Sequence, residues 1–285
     1  MTKTTTRFRE LLAQPGTLLA PFTYDGFTAR IAEEAGFDAV YMSGFGTSMS
    51  KGIPDVGLLS QTEMVQNAAT IVEAVSVPVF ADADTGYGNA INVGRTVRLY
   101  ERAGVAGIHL EDQVAPKKCG FFDGKLVIPA DEATKKVQAA VEARTDDDFV
   151  IIARCDALFA SGWDAVERRC RSYRDAGADL VFVDGIRTAH DLAEFANRLG
   201  DLPRMYNGEL PPADVQALGF DIQIHRGPVF ALYPIIKEMM VELRQTGAIS
   251  AIERWGSGGA LRLDNANALG LERITELEQR YATAG

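Results

Sequence analysis

Short apolar runs alternate along the chain with longer amphipathic segments. The runs cover residues 18–20, 39–42, 77–81, 107–110, 150–153, 180–183, 204–206 and 221–224. Their length and branched or aromatic content predict buried strands. Between them, stretches such as 61–75, 89–103, 131–143, 164–176 and 189–199 carry apolar residues at three- and four-residue spacing, the period of a helix packed on one face. The same punctuation recurs after several helices: Ala35-Gly36-Phe37-Asp38, Ala103-Gly104-Val105-Ala106, Ala176-Gly177-Ala178-Asp179 and Leu218-Gly219-Phe220-Asp221. A glycine there can take the left-handed conformation that ends a helix, and the next strand starts at once.

Eight strand–helix units without a composition break predict one (β/α)8 TIM barrel, a single domain over residues 1–285. A doubly wound sheet is the alternative, because sequence does not prove closure. Beyond the eighth strand, 229–245 reads as a helix. A further amphipathic helix at 267–281, with Leu269, Leu271, Ile274 and Leu277 at helical spacing, belongs to a C-terminal helical extension from about 246 to 285. It either packs on its own barrel or docks on a neighbouring subunit.

Composition narrows the classes of partner. The 285 residues include 29 basic and 39 acidic side chains, a net charge of −10. That balance argues against nucleic acid and against an anionic membrane surface, but not against a small anionic substrate. No run of about 18 uncharged apolar residues spans a membrane. The N-terminus lacks the apolar core of a signal peptide. Three cysteines, Cys119, Cys155 and Cys170, do not suggest a disulfide framework, so a reducing cytoplasm is expected.

Polar residues appear where the apolar runs stop. The run ends carry Tyr41 and Ser43, Asp82 and Asp84, His109 and Glu111, Arg154 and Asp156, Asp184, Asn207 and Glu209, and His225. In a parallel barrel those positions face the active-site end. Strand alternation puts Tyr41 with Ser43, Asp82 with Asp84, and His109 with Glu111. Asp82, Asp84 and Glu111 supply hard oxygen donors suited to Mg²⁺, with Mn²⁺ as the alternative; no His/Cys cluster has zinc spacing. Cys119 follows Lys117 and Lys118 on a loop bounded by proline and glycine. Neighbouring cations favour thiolate and make it a candidate acid–base group. Arg154 can clamp a carboxylate, or pair with Asp184 or Asp156. Ser43-Gly44-Phe45-Gly46 offers backbone N–H groups for an anion, or is an ordinary glycine turn. The role of Asp55, in Lys51-Gly52-Ile53-Pro54-Asp55-Val56-Gly57, stays open on spacing alone.

These residues resemble the isocitrate lyase/phosphoenolpyruvate mutase superfamily. The similarity runs from about residue 15 to 240. It rests on Ser43-Gly44 before Gly52–Gly57, Asp82-Ala83-Asp84-Thr85-Gly86-Tyr87-Gly88, Glu111-Asp112-Gln113, Lys117-Lys118-Cys119-Gly120 and Ala153-Arg154-Cys155-Asp156-Ala157. The Lys-Lys-Cys-Gly signature looks like the lyase branch, which cleaves isocitrate, methylisocitrate and alkylmalates such as 2,3-dimethylmalate. The resemblance implies a Mg²⁺-dependent barrel, usually a homotetramer that exchanges its C-terminal helices. It puts Asp55, Asp82, Asp84 and Glu111 in the metal shell and Cys119 at the acid–base position on a mobile gating loop. It implies a 2-oxo acid bound at Ser43, Gly44 and Phe45, Arg154 on a substrate carboxylate, and Asn207 and Glu209 near the far wall.

The chain departs from that pattern at three places. Phe121 stands where the lyases commonly have histidine, Asp184 where they commonly have glutamate, and Cys155 where they usually have threonine. Phe121 replaces a polar group beside Gly120 with apolar surface. Substrate-binding positions are therefore expected at Gly120, Phe121 and Asp184 as well, with Phe45, Phe121 and Phe122 as an apolar wall or as loop anchors. The expected activity is cleavage of a 2-hydroxy dicarboxylate, alkylmalate or methylisocitrate-like, to a 2-oxo acid and a second carboxylate. Tyr41 or metal-bound water takes the hydroxyl proton, Lys117 and Arg154 stabilise charge, and Cys119 protonates the leaving fragment. Oxaloacetate decarboxylation (left open by His225), C–C hydrolysis and phosphonate chemistry are the alternatives on the same site. A non-catalytic barrel that senses 2-oxo acids is the alternative of another class.

Overall fold

The structure, a computed structural model, describes residues 2–120, 122–255, 266–267 and 269–282. The chain divides into two compact units, Met1–Gly227 and Pro228–Gly285.

The first unit runs α1 (Thr4–Leu12), β1 (Leu18–Thr23), α2 (Gly26–Glu34), β2 (Val40–Met42), α3 (Gly44–Ser50), α4 (Gln61–Ala74), β3 (Val79–Asp82), α5 (Ala90–Ala103), β4 (Gly107–Glu111), α6 (Ala130–Ala143), β5 (Val150–Cys155), α7 (Leu158–Asp175), β6 (Leu180–Val183), α8 (Ala189–Leu199), β7 (Arg204–Asn207), α9 (Pro212–Ala217) and β8 (Ile222–His225). The strands pair in parallel in chain order and close into a barrel. Closure comes from β1 against β8, with Leu18 opposite Ile222 and Pro21 opposite His225. The doubly wound alternative is thereby excluded.

Local chemistry explains the boundaries. Ser60 and Glu63 form a reciprocal capping box at the start of α4, as do Asn89 and Asn92 at α5 and Thr188 and Asp191 at α8. Each box satisfies backbone donors that the first helical turn leaves open. Gly36, Gly104, Gly177 and Gly219, the four punctuating glycines, all have left-handed φ, from +73° to +99°. α7 starts six residues ahead of the segment predicted from 164, and Gly162, at φ +73° and ψ 178°, breaks its first turn from the rest.

Two apolar layers lie between barrel and helices. One packs Met42, Ala81 and Ile108 against Met64, Ile71 and Val97. The other packs Ala153, Val181 and Val183 against Cys170, Tyr173 and Phe195. Rings fill the barrel interior. Phe8 of α1 stacks on Phe80 at 5.1 Å between centroids and closes the N-terminal end. Tyr41 lies 4.9 Å from Phe22, 5.2 Å from Phe80 and 5.7 Å from His109. His109 meets Phe182 edge-on at 5.6 Å. These inward positions are the alternate residues of their strands, so the next inward positions, Asp82, Glu111, Arg154 and Asp184, stand above a rigid aromatic floor.

In the second unit, α10 (Gly227–Thr246) begins at the unit boundary, followed by α11 (Ser250–Trp255) and α12 (Leu271–Tyr281). Val229 is the buried residue of α10, while Tyr233, Ile235, Ile236, Met240 and Val241 are exposed. On α12, Leu271 and Ile274 are also exposed. No described helix is long and apolar enough to cross a membrane.

Candidate active site

The C-terminal strand ends surround a small cavity of about 30 Å³, lined by Phe22, Tyr41, Ser43, Phe45, Asp55, Asp82, Lys117, Cys119, Gly120, Arg154, Phe182, Asp184 and Asn207. Eleven of these thirteen are residues singled out in the sequence; Phe22 and Phe182 are not. Its volume suits one or two waters, so a dicarboxylate needs a wall to move.

Lys117 is the pivot of the acidic side. Its Nζ lies 2.5 Å from Asp55 Oδ1 and 2.9 Å from Asp84 Oδ1, with all three side chains at most 8% exposed. Burial opposes the ammonium charge, but Asp84, Asp82, Glu111 and Asp55 outweigh it and raise the Lys117 pKa well above its ordinary value. Asp82 accepts N–H bonds from Gly44 (3.2 Å) and Asp84 (2.9 Å). Burial disfavours its charge, yet His109, Lys117 and Arg154 hold its carboxyl down at about 2. Asp84 lies past the end of β3 at φ +47°, a left-handed position that aspartate tolerates better than most residues. Burial, with Asp82 beside it, pushes its pKa up to about 6 against the pull of Lys117.

Glu111 is buried beside Arg154, Nη1 to Oε2 3.3 Å. Both of its carboxylate oxygens lack a hydrogen bond, and Asp84 Oδ1, though ion-paired, also lacks an aligned one. Burial raises the Glu111 pKa well above normal, with Arg154 opposing. Among the described residues no three Asp, Glu, His or Cys side chains close around one point as direct ligands. Two internal cations explain this: Lys117 draws Asp55 and Asp84 to itself, and Arg154 draws Glu111. Asp84 and Glu111 therefore contact those cations rather than the cavity. The orphaned oxygens still fit a hard divalent ion that keeps part of its own water.

Arg154 is held on three sides. Asp156 grips it through two bonds, Nε–Oδ2 2.7 Å and Nη2–Oδ1 2.8 Å, and Asp184 Oδ2 lies 3.3 Å from Nη2. Its guanidinium stands 5.3 Å over the Phe182 ring. Both sequence readings of Arg154 thus coexist: it is ion-paired, and it lines the cavity.

Tyr41 points its hydroxyl at His109 Nε2, 2.7 Å away. Burial, reinforced by Asp82, raises the Tyr41 pKa well above 10, so the phenol stays protonated at neutral pH. Burial lowers the His109 pKa to about 4, so its ring is neutral.

The loop after β4 arches over the cavity. Its two feet are joined by Ile128 N to Asp112 O, 2.9 Å. Arg169 of α7 bonds both feet, at Asp112 Oδ2 (3.0 Å) and Ile128 O (2.7 Å). Gln113 braces the limb from inside, its amide bonding Lys118 N, Lys118 O and Asp156 Oδ1. Cys119 is 6% exposed, lines the cavity and donates its backbone N–H to Asp55 O at 3.0 Å. A Cβ on Gly120 would overlap the Asp184 carboxylate.

Other expectations need correction. Ser43-Gly44-Phe45-Gly46 is not a simple turn. It starts helix α3, with Ser43 Oγ accepting from Gly46 N and the Gly44 N–H already given to Asp82. Ser43 and Phe45 line the cavity; Gly44 does not. Glu209 lies outside the lining; it pairs with Arg226 at 3.2 Å and is half exposed, because that pairing holds its carboxylate in solvent contact. Phe122 is 39% exposed and outside the cavity; the apolar wall is made by Phe22, Phe45 and Phe182 instead. Phe121 lies outside the described residues. His225 Nδ1 accepts from Gly227 N at 3.1 Å and is not a lining residue. Lys125, whose place in the chain carries no sequence signal for the site, has a side chain only 6% exposed. Its Nζ meets Gly120 O at 2.9 Å, Asp184 Oδ2 at 3.0 Å and Asp156 Oδ1 at 3.6 Å.

The same arrangement of strands and loops is found in known proteins. Residues 8–244 match the phosphoenolpyruvate phosphomutase family. The 2,3-dimethylmalate lyase of Eubacterium barkeri is 41% identical over 302 aligned positions, covering 98% of this chain and 99% of that protein. The structure of oxaloacetate acetylhydrolase bound to the inhibitor 3,3-difluorooxalacetate superposes with a TM-score of 0.91 at 35% identity, covering 97% of this chain and 96% of the other. Phosphonopyruvate hydrolase, complexed with oxalate and Mg²⁺, superposes with a TM-score of 0.88 at 30% identity, covering 98% and 99%. The chain belongs to the phosphoenolpyruvate mutase/isocitrate lyase superfamily.

Proposed function

We propose that this protein is a divalent-metal-dependent carbon–carbon lyase that cleaves a 2-hydroxy dicarboxylate of the alkylmalate kind into a 2-oxo acid and a second carboxylate. One observation carries the reading: a single cavity gathers a thiol (Cys119), an acid set (Asp55, Asp82), a carboxylate-binding cation (Arg154) and a phenol (Tyr41). Similarity to a dimethylmalate lyase across nearly the whole chain supports it.

Asp82, Asp84, Glu111 and Asp55 are the residues to hold the ion, Mg²⁺ or Mn²⁺. When bound, the ion supplies positive charge to the oxyanion formed as the bond breaks. Arg154 orients a substrate carboxylate. Tyr41 takes the hydroxyl proton as it hands its own to the neutral His109 ring, a reading supported by the 2.7 Å contact between its hydroxyl and His109 Nε2. The C2–C3 bond then breaks, one fragment becoming the 2-oxo acid. The other fragment, carrying the electron pair, takes a proton from Cys119. Lys117, two residues away, offsets the thiolate that remains.

The cavity also argues for the substrate's size and charge. Its apolar wall of Phe22, Phe45 and Phe182 suits alkyl substituents. Among its described lining residues the cations are Lys117 and Arg154, both already paired with carboxylates. A third substrate carboxylate, as in methylisocitrate, therefore lacks an unneutralised partner. The exposed apolar side chains of α10 and α12 support a homo-oligomer, proposed as a helix-exchanged tetramer working in the cytoplasm; light scattering on the eluted protein tests its subunit number.

A screen of 2-alkylmalates, methylisocitrate, isocitrate and oxaloacetate with Mg²⁺ tests the reading. Release of a 2-oxo acid from the alkylmalates is expected. Oxalate and acetate from oxaloacetate, with alkylmalates untouched, would install the second reading, C–C hydrolysis, which the superposition on oxaloacetate acetylhydrolase favours.

A further inference from the structure

Asp184 Oδ2 is shared by two cations of different origin. Arg154 Nη2 reaches it from the barrel at 3.3 Å, and Lys125 Nζ reaches it from the arching loop at 3.0 Å. The same ammonium donates to Gly120 O, the carbonyl immediately after Cys119, at 2.9 Å. It also stands 3.6 Å from Asp156 Oδ1, the oxygen that binds Arg154 Nη2. The Lys125 side chain is 6% exposed, and its ammonium lies 5.7 Å from the Phe159 ring centroid. A lysine whose charge is buried at a loop's return limb needs a specific reason to stay there.

We propose that Lys125 is a positioning residue with two linked tasks: it fixes the Gly120 carbonyl, and with it Cys119, over the cavity, and it takes up part of Asp184 and Asp156 so that Arg154 is left with donor capacity for a substrate carboxylate. The reading of Arg154 as the carboxylate clamp comes from the proposed function, on which this second task rests. Without Lys125, and even though Gln113 Nε2 still donates to Asp156 Oδ1, Asp156 and Asp184 lean harder on Arg154, which also pairs with Glu111. Its guanidinium then binds substrate only by giving up charged partners in a water-poor site. The geometry also explains the glycine at 120: a Cβ there would strike the carboxylate that Lys125 secures.

The test compares Lys125→Met and Lys125→Arg with the wild type. The first arm uses the free protein, without substrate or metal. Chymotrypsin is added and cleavage beside Phe122 is timed. Lys125→Met should be cut roughly ten- to a hundredfold faster, the range a charge-assisted hydrogen bond commands; Lys125→Arg should stay near the wild type. Circular dichroism confirms that each variant is folded. The second arm is steady-state kinetics with the best 2-hydroxy diacid and Mg²⁺. In Lys125→Met, kcat should fall and KM should rise, each by roughly tenfold, with partial return of both in Lys125→Arg. Unchanged cleavage in Lys125→Met overturns the assignment to Lys125. Faster cleavage with a fall in kcat but an unaltered KM overturns the link to Arg154. A wild type that turns over no diacid, with the protease arm as expected, sinks the lyase reading and leaves the loop assignment standing.

Discussion

Lys117 Nζ lies 2.5 Å from Asp55 Oδ1, and both side chains are about 5–6% exposed. The pair joins the loop after β4 to the loop after α3, which no strand or helix ties together. Asp84 completes the group at 2.9 Å. An ammonium thus sits among the acids expected to hold a divalent ion, and it keeps the acidic group from repelling itself apart.

Replacing Lys117 by methionine should therefore act on stability before chemistry. Two buried carboxylates would lose their cation, a change that typically costs about 3–5 kcal/mol. The thermal midpoint should fall by several degrees. Mg²⁺ should narrow the gap to the wild type, because it offers the orphaned acids another cation. Thermal denaturation with and without Mg²⁺ measures both effects. A variant as stable as the wild type in the absence of metal would show that the pair contributes no net stability.

Cys119→Ser tests the proton donor. Serine keeps nearly the same size but is a far weaker acid, so turnover should drop by roughly 10²–10⁴. Pyruvate binding in the presence of Mg²⁺ should persist, since the cavity's other lining groups are untouched. Calorimetric titration with pyruvate and steady-state rates separate the two. Unchanged kcat in this variant would remove Cys119 from the mechanism.

Much of this arrangement is legible along the chain, for a physical reason. Parallel barrel strands are buried on both faces, so they read as apolar runs, and their polar ends mark the active-site rim. All eight runs overlap strands, and Asp82, Arg154, Asp184 and Asn207 stand where the rim rule puts them. What the sequence leaves open is mostly set by loops. Lys125, in Phe122-Asp123-Gly124-Lys125, has the pattern of a solvated turn; only the path of the loop brings its ammonium back to Asp184. The Ser43 segment misleads because Gly44 and Gly46 disfavour a helix, yet Ser43 caps one. Asp82 and Asp84 suggest a shared strand face, but β3 stops at Asp82 and the left-handed turn at Asp84 sets the second carboxylate by backbone geometry instead.

Gly44→Ala should dismantle the acid group with a single methyl. A Cβ at residue 44 would lie 2.5 Å from Asp82 Oδ2 and 3.1 Å from its Cγ. Asp82 would have to swing away, losing the Gly44 N–H bond and its place at the cavity wall. Mg²⁺ affinity should fall by roughly tenfold or more, the scale of losing a charge-assisted hydrogen bond, with a small change in the thermal midpoint. Isothermal titration with Mg²⁺ reads the affinity. Wild-type affinity in Gly44→Ala would mean that Asp82 does not hold the ion.

Asp84 and Asp82 make opposite contributions to the pH dependence of the metal-free protein. The Asp82 carboxyl sits at about 2, below its unfolded value of 3.8. The unfolded chain binds more protons between those values, so stability rises with pH there, by about 2 kcal/mol. Asp84 sits at about 6, above 3.8. The folded chain binds more protons in that window, so stability declines as pH rises from about 4 to 6, by about 3 kcal/mol. A divalent ion binds the ionised carboxylate and must displace the proton. Mg²⁺ affinity should consequently weaken steeply as pH drops through about 6. Titrations in buffers of different ionisation heat should show more proton release per ion at pH ~5.5 than at pH ~7.5, Asp84 adding its proton at the lower pH to whatever Glu111, also raised by burial, gives up at both. Asp84→Asn should abolish the difference. Equal proton release at the two pH values in the wild type would show that Asp84 is already ionised in the free protein, and that Lys117 outweighs its burial.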